Sequence, residues 1–483
     1  MYNLICCTDN NDGIGFNNAI PWVCKDDMIY FKNKTINNIV IMGKNTWLSI
    51  KNPLYKRFNI VISNDELIKA SDKACNFECT DIYCDYKIHV FSSIDECENY
   101  LNNHIKFKDW CIYKRWVIGG SQIYNSYLKT NKVINVYINK LKTSYTCDTY
   151  FKFDTLILYP QFKLVNINSN STFNTLQYQY INKEEDLLLD TYHLLINKSN
   201  RFNRTNDLCL SNFGNQFTYI MEETDGEFRL PLLTTKKMFY KGIVHELLWF
   251  ISGSNNVKDL EKHKVNIWSK NTTREFLDNK GLTDYEVGEM GPNGYGFQWR
   301  HWGAEYIPNK FDYKNEGIDQ LAEVIRLLKE DPFSRRIILH GWNVSNLDQM
   351  ALPPCLLMYQ FYVEMHLNKE TNQYEKYLSC MATQRSADLF HGVPFNIASM
   401  AILTLLISSI VGMKPYKLIH SIGDLHLYTS HIQYMKLQVS RQSLPFPRIK
   451  IVNKRNNIND FKYDDLKLID YYAYSSIAAD MVV

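Results

Sequence analysis

Arg115-Trp116-Val117-Ile118-Gly119-Gly120-Ser121 reads as a buried strand that runs into a glycine pair and then a helix start. Glycine, lacking a Cβ, lets a ligand lie against backbone, and the first turn of a helix offers unpaired N–H groups to a phosphate. Upstream, Gly43-Lys44-Asn45-Thr46-Trp47 repeats the arrangement after an apolar run from Asn38, with a cation and a hydroxyl at the helix start. Phe58 to Ser63 and Ile88 to Phe91 are further apolar runs of strand length. Between them, Asp26 to Lys34, Ser93 to Asn102 and Gln122 to Leu128 have helical spacing. Strands alternating with helices predict an α/β domain over residues 1–182, with ligands at the strand ends. The polar, aperiodic stretch from Asn64 to Tyr86 reads as a loop insertion.

Beyond Asn182 the pattern changes. Asp186 to Ile196 is an amphipathic helix, and no Gly/Ser/Pro-rich linker precedes it. Long helical stretches (Tyr240 to Ile251, Gly317 to Glu330, Pro394 to Val411) mix with β-rich ones (Arg336 to Trp342, Leu357 to Glu364, Leu378 to Arg385). The second domain, residues 184–483, is therefore expected to be α+β.

Hydrophobic residues make up 45% of the 483 and charged residues 22%, enough for real cores and too apolar for a disordered chain. A net charge of +3, made up of +5 up to residue 183 and −2 after it, leaves neither half with the excess of a dedicated nucleic-acid binder. Twelve Cys without a pairing rhythm point to a reducing compartment, and the N-terminal residues lack a basic region followed by an apolar one. The longest apolar run, Ile397 to Met413, is interrupted by Ser399, Thr404, Ser408 and Ser409, so a core helix is expected in place of a membrane span. A cytoplasmic enzyme without membrane contact is the expectation. Cys75, Cys79, Cys84 and His89 are spaced too loosely for a zinc hook, so no metal site is expected.

Asp27 opens a helix, and Phe31 lies one turn later on the same face. A carboxylate beside aromatic walls suits a flat heterocycle, because its two oxygens accept two parallel N–H bonds. Arg57, after Pro53-Leu54, can fork onto a carboxylate. In order, Ile14-Gly15, Pro21-Trp22, Asp27, Phe31, Gly43-Lys44, Thr46-Trp47, Ser49-Ile50, Pro53-Leu54, Arg57, Gly119-Gly120, Tyr124 and Asp148-Thr149 resemble dihydrofolate reductase. The resemblance covers residues 1–180 and implies a mixed, mainly parallel sheet. It further implies that Asp27 binds the pteridine and promotes its protonation. Phe31, Ile50, Leu54 and Arg57 would hold the folate. Ile14 and Gly15, in a mobile loop over the nicotinamide, would bind NADPH with Lys44, Thr46, Ser63, Gly119, Gly120 and Tyr124. One departure is Asn139, where the family usually has a Thr bonded to the acid; altered affinity is expected.

In the second domain, Leu352-Pro353-Pro354-Cys355 places a Cys behind two stiffening prolines. A thiol becomes a nucleophile when cations lower its pKa, and Arg204, Arg335-Arg336 and Arg385 are the forked donors a dianionic phosphate needs. Adjacent like charges entering the apolar run Ile337-Ile338-Leu339 repel unless an anion neutralises them.

Pro231 to Lys236, His245 to Phe250, Tyr295 to Arg300, Gln384-Arg385-Ser386 with Asp388, Pro394 to Ser399, and Gly423-Asp424 before His426-Leu427-Tyr428 resemble thymidylate synthase across about 290 residues. The resemblance implies that Cys355 attacks C6 of dUMP. Arg204, Arg385 and Ser386 would hold its phosphate, with Arg335 and Arg336 donated by a partner subunit of an obligate homodimer. His426 and Tyr428 would bind the ribose, and Glu246 would organise proton transfers. Trp268, Asp388, Gly392, Phe395 and Val483 would meet 5,10-methylenetetrahydrofolate. Asp388 also borders the nucleotide.

Asn396 would read the base. It can donate to O4 and accept from N3–H, which favours dUMP over dCMP. Departures are Leu356 after the nucleophile, Thr383 before Gln384, an extra residue in Gly291-Pro292-Asn293-Gly294-Tyr295, and a tail at Tyr472-Ala473-Tyr474 without the usual Pro-His-Pro. Leu356 is expected to raise KM for dUMP modestly.

Together the two resemblances imply coupled chemistry, in which dihydrofolate released by one activity is reduced by the other. A non-catalytic scaffold or RNA-binding descendant would be expected to have lost some of Asp27, Cys355, Glu246, Asn396, Asp388 or the arginines. A cytosine-directed transferase would carry Asp in place of Asn396.

Overall fold

Apolar β-branched runs fold as buried strands here, and the segments between them fold as helices. The computed structural model describes residues 1–71, 74, 87–104, 107, 109–198, 200–201 and 208–482, and the chain divides into two units, Met1–Asn182 and Lys183–Val483.

The first unit has strands β1 (Tyr2–Thr8), β2 (Gly13–Gly15), β3 (Ile39–Gly43), β4 (Phe58–Ile62), β5 (Ile88–Phe91), β6 (Arg115–Gly119), β7 (Val133–Leu141), β8 (Thr149–Tyr150), β9 (Phe162–Ser169) and β10 (Phe173–Tyr180). Eight of them form one sheet in the order β5-β4-β3-β6-β1-β7-β10-β9. Neighbours from β5 to β7 run parallel, and β10 is antiparallel to both β7 and β9. Helices α1 (Lys25–Thr35), α2 (Lys44–Ile50), α3 (Glu66–Lys69), α4 (Ile94–Asn103) and α5 (Ser121–Lys129) connect or flank the strands.

Because β6 lies between β3 and β1, the carboxyl ends of β3 and β6 meet, at Gly43 and Gly119. Ligands of such sheets bind at this kind of crevice. The stretch read as a loop insertion is not all loop: Glu66–Lys69 makes a helical turn, because Oδ1 of Asp65 caps it by accepting from the amide of Leu67 at 2.9 Å. Cys75, Cys79 and Cys84 lie outside the described residues. His89 is a core residue stacked on Phe58 at 4.1 Å.

The second unit has α6 (Lys183–Leu195), α7 (Tyr240–Ser252), α8 (Lys258–Glu261), α9 (Arg274–Asn279), α10 (Gly296–Arg300), α11 (Gln320–Glu330), α12 (Gly392–Val411) and α13 (Ile432–Val439). Its main sheet is made of β11 (Asn200–Arg201), β12 (Cys209–Ile220), β15 (Ile338–His340), β16 (Leu356–Asn368), β17 (Gln373–Asp388) and β18 (Lys414–Tyr428), in the order β11-β12-β18-β17-β16-β15. A smaller sheet holds β13 (Glu223–Thr224), β14 (Glu227–Arg229), β19 (Arg448–Ile451) and β20 (Leu466–Ile469).

Helix α12 is apolar on nearly every side because it is buried on every side, packed on β17, β18 and α7. It is long and apolar enough to cross a membrane by composition, yet it is the central helix of this core. Near the start of the unit, buried Glu185 on α6 accepts from the amides and hydroxyls of Thr234 and Thr235 at 2.7–2.9 Å. Four donors around one carboxylate offset its desolvation and fix the segment that leads into α7.

Candidate functional site

In the first unit, Asp27 sits in the first turn of α1 and faces β7. The side-chain amide of Asn139 donates to Oδ1 of Asp27 at 2.7 Å, and Oγ1 of Thr175 on β10 donates to Oδ1 of Asn139 at 2.7 Å. Asn139 and Thr175 are both buried. Burial pushes the Asp27 carboxyl up from its ordinary value, while the contacts from Asn139 and Cys7 pull it back. The departure at position 139 therefore keeps the contact to the acid, with an amide as donor.

Phe31, Ile50 and Leu54 border one apolar cluster with Tyr30. Arg57 is buried beside them, its guanidinium 5.8 Å from the Phe31 ring. It donates to Oγ1 of Thr35 at 3.0 Å and to the carbonyl of Tyr55 at 2.9 Å. Among the described residues it has no carboxylate partner, so a buried cation is held ready for an anion.

At the strand ends, a Cβ on Gly119 (φ +139°) would come within 3.0 Å of Oγ1 of Thr46 and 3.5 Å of the Tyr124 hydroxyl. Tyr124 donates to the carbonyl of Ile5 at 2.8 Å. Thr46, Gly119, Gly120 and Tyr124 thus form one cradle, and Gly43 and Gly120 leave the amides of α2 and α5 without a side-chain cap. Such a cradle fits a dinucleotide. Ile14 and Gly15 lie on β2, which pairs with β8 at Thr149. Lys44 pairs with Asp65 at 2.7 Å, and Oγ of Ser63 accepts from the Asp65 amide at 3.1 Å.

In the second unit, Cys355 precedes β16 and is half-buried. The guanidinium of Arg385 is 3.9 Å from its sulfur, and the same side chain donates to the carbonyls of Pro354 (2.9 Å) and Pro353 (3.2 Å). The Trp342 ring lies 5.6 Å from the guanidinium carbon. The amide of Cys355 donates to the hydroxyl of Tyr295 at 3.1 Å. Tyr295 stacks on Phe250 and lies 6.1 Å from Trp268, whose indole N–H reaches Glu246. Burial pushes the Glu246 carboxyl up to about 7.

Pairing of β17 with β18 sets Ser386 opposite Asp424 and Asp388 opposite His426. Ser386 Oγ lies 3.4 Å from Nδ1 of His426, and the ring centres of His426 and Tyr428 are 5.1 Å apart. Asp388 accepts from the amides of Phe390 (2.9 Å) and His391 (3.2 Å), directly before α12. A Cβ on Gly392 would meet both Asp388 and the carbonyl oxygen of Asn396. That oxygen accepts from Nε2 of Gln384 at 3.0 Å. Phe395 packs at the core margin.

Arg335 and Arg336 lie exposed on the loop before β15, and among the described residues neither is joined to Cys355 of the same chain. Arg204 and Val483 lie outside the described residues. Leu356 is buried in the core cluster. The sequence reading overlooked Thr175, Tyr295 and Gln384 as site residues. Tyr295 and Gln384 stand inside quoted motifs, whereas nothing local marks Thr175.

Comparison with known proteins divides the chain in the same place. The family described as "Dihydrofolate reductase" matches residues 1–184, and the family described as "Thymidylate synthase" matches residues 188–483. The bifunctional dihydrofolate reductase-thymidylate synthase of Paramecium tetraurelia is 35% identical over all of this chain and 99% of its own length. That of Zea mays is 33% identical over all of this chain and 97% of its own, and that of Plasmodium chabaudi 34% over 92% of this chain and 83% of its own.

Proposed function

The chain belongs to the bifunctional dihydrofolate reductase–thymidylate synthases, and on that premise we propose how its residues divide the work. It is an enzyme with both activities, and its two families imply NADPH and methylenetetrahydrofolate as co-substrates.

In the synthase unit, Cys355 is the nucleophile, and its sulfur adds to C6 of the dUMP pyrimidine. The cation of Arg385 at 3.9 Å favours the thiolate. This contact carries the reading. Arg385 and Ser386 hold the phosphate with Arg204. His426 and Tyr428 take the ribose, and Asn396 reads the uracil edge. Glu246, raised to about 7, can both take and return a proton near neutrality. Trp268, Asp388, Gly392 and Phe395 border the folate, with Val483 closing the site.

In the reductase unit, Asp27 holds the pterin and favours its protonation. Phe31, Ile50, Leu54 and Arg57 hold the rest of the folate. NADPH supplies a hydride when bound, and Ile14, Gly15, Lys44, Thr46, Ser63, Gly119, Gly120 and Tyr124 hold it.

Arg335 and Arg336 act on the phosphate of a second copy. Their exposure, and an apolar groove beside them lined by Ile318, Ile338, Trp342 and Met358, support a homodimer through this unit. The cytoplasm fits the Cys usage.

The test is to give the purified chain dUMP, methylenetetrahydrofolate and NADPH. dTMP formation with matching NADPH oxidation is expected. Cys355→Ser should abolish dTMP while added dihydrofolate still consumes NADPH, and Asp27→Asn should do the reverse. Retention of both activities in either variant would overturn the assignment.

A further inference from the structure

The amide of Asn396 stands at one end of a buried relay. His420 on β18 is fully buried, and its Nε2 lies 2.7 Å from Oε1 of Gln384. Nε2 of Gln384 in turn meets Oδ1 of Asn396 at 3.0 Å. The strand register aligns Ala382 with His420 and Gln384 with Ile422, so the two polar side chains stand one pleat apart beneath α12.

A chain of this kind has two self-consistent polarities. In the first, His420 carries its proton on Nε2 and donates to Gln384, Gln384 donates to Asn396, and Asn396 keeps its NH2 group for the base. In the second, His420 accepts at Nε2 and carries its proton on Nδ1, both amides turn over, and Asn396 presents its carbonyl. The first polarity matches the C4 carbonyl of uracil, and the second matches the C4 amino group of cytosine.

The far end of the relay selects between them. Nδ1 of His420 is buried and has no hydrogen-bond partner among the described residues. An orphaned buried N–H is rarer than an acceptor left unmet, so the proton belongs on Nε2. Burial holds the ring neutral, its pKa down at about 4.

We infer that His420 is a positioning residue for base choice, keeping its proton on Nε2 and thereby setting Gln384 and Asn396 to read a uracil-type carbonyl against a cytosine-type amine. This rests on the reading of Asn396 given above.

Two measurements on the full-length chain test it. In protein carrying 15N-labelled histidine, the His420 ring should be protonated at Nε2 and bare at Nδ1; the opposite tautomer would overturn the inference. His420→Gln places an amide that can donate or accept at the same reach, so the polarity loses its bias. The ratio of kcat/KM for dUMP to that for dCMP should then fall about tenfold or more, with dCMP binding more tightly and kcat for dUMP little changed. A ratio within about twofold of the parent would overturn the inference. Should that variant not fold, the tautomer decides alone. Asn396→Asp separates the two layers. If it leaves the dUMP preference intact, the reading of Asn396 itself falls. If it reverses the preference while His420→Gln does not, only the role of His420 falls.

Discussion

The indole N–H of Trp268 donates to Oε1 of Glu246 at 2.7 Å, joining a residue expected to meet the folate to the buried carboxylate expected to move protons. The contact favours the ionised carboxylate and opposes the burial that raises it, the two together leaving its pKa up at about 7. Synthase activity that uses the ionised form should therefore fall as pH drops through about 7. Trp268→Phe removes the opposing contact and should move that limb to higher pH. A pH profile of kcat for dTMP formation, unchanged between parent and variant, would count against the coupling.

Stability carries the same signature with a definite sign. A carboxyl whose folded pKa is raised binds its proton more tightly when folded, so its stabilisation is present below about 4.5 and is lost as pH rises through about 7. Glu246→Gln cannot ionise and should escape that loss. It should unfold at a higher temperature than the parent at pH 8, by on the order of 2 kcal/mol, with the advantage shrinking toward pH 5. Calorimetry at the two pH values checks this.

Thr175 fixes which end of the Asn139 amide faces Asp27. Thr175→Val would let the amide turn its carbonyl toward the acid, which is tolerable only when Asp27 is protonated. The Asp27 pKa, already raised by burial, should rise further. The limb of kcat/KM for dihydrofolate that needs the carboxylate should then move to higher pH, and Thr175→Ser should restore it.

Gly341 and Gly294 approach so closely that a Cβ on Gly341 would lie 1.6 Å from the Gly294 carbonyl oxygen, while one on Gly294 would strike Pro354. The loop they pin runs into Tyr295, which accepts from the Cys355 amide. Gly341→Ala should displace that loop and cut dTMP formation on the order of 100-fold. Reduction of added dihydrofolate should be unaffected.

Leu356 is 4% exposed in the core cluster. Leu356→His should therefore lower KM for dUMP only modestly, and at a stability cost of about 1–3 kcal/mol from burying the imidazole. An unchanged KM would remove Leu356 from the nucleotide's surroundings.

Local patterning was enough for much of this architecture. The strands Ile88–Phe91 and Arg115–Gly119 were legible to the residue, because runs that are apolar on both faces and end in glycine or a turn have few other folds available. The same patterning missed the hairpin of β9 and β10, because most β9 side chains face outward and leave no apolar alternation to read. Asp27, Cys355 and Arg385 were readable in the sequence as candidates, because the chemistry proposed for them needs specific residue types. Their partners were not. Thr175 lies 36 residues from Asn139, and His420 lies 36 from Gln384; those contacts come from sheet register, which no short stretch of sequence carries.

The clasp around Glu185 bears on how the chain is born. Its donors, Thr234 and Thr235, stand 49 and 50 residues downstream. When α6 leaves the ribosome the two threonines are still inside it or not yet made, so the carboxylate must stay hydrated, since burying it unmet would cost several kcal/mol. The helix therefore has to wait in solvent for the two threonines, and the second unit's first segment docks only once they have emerged.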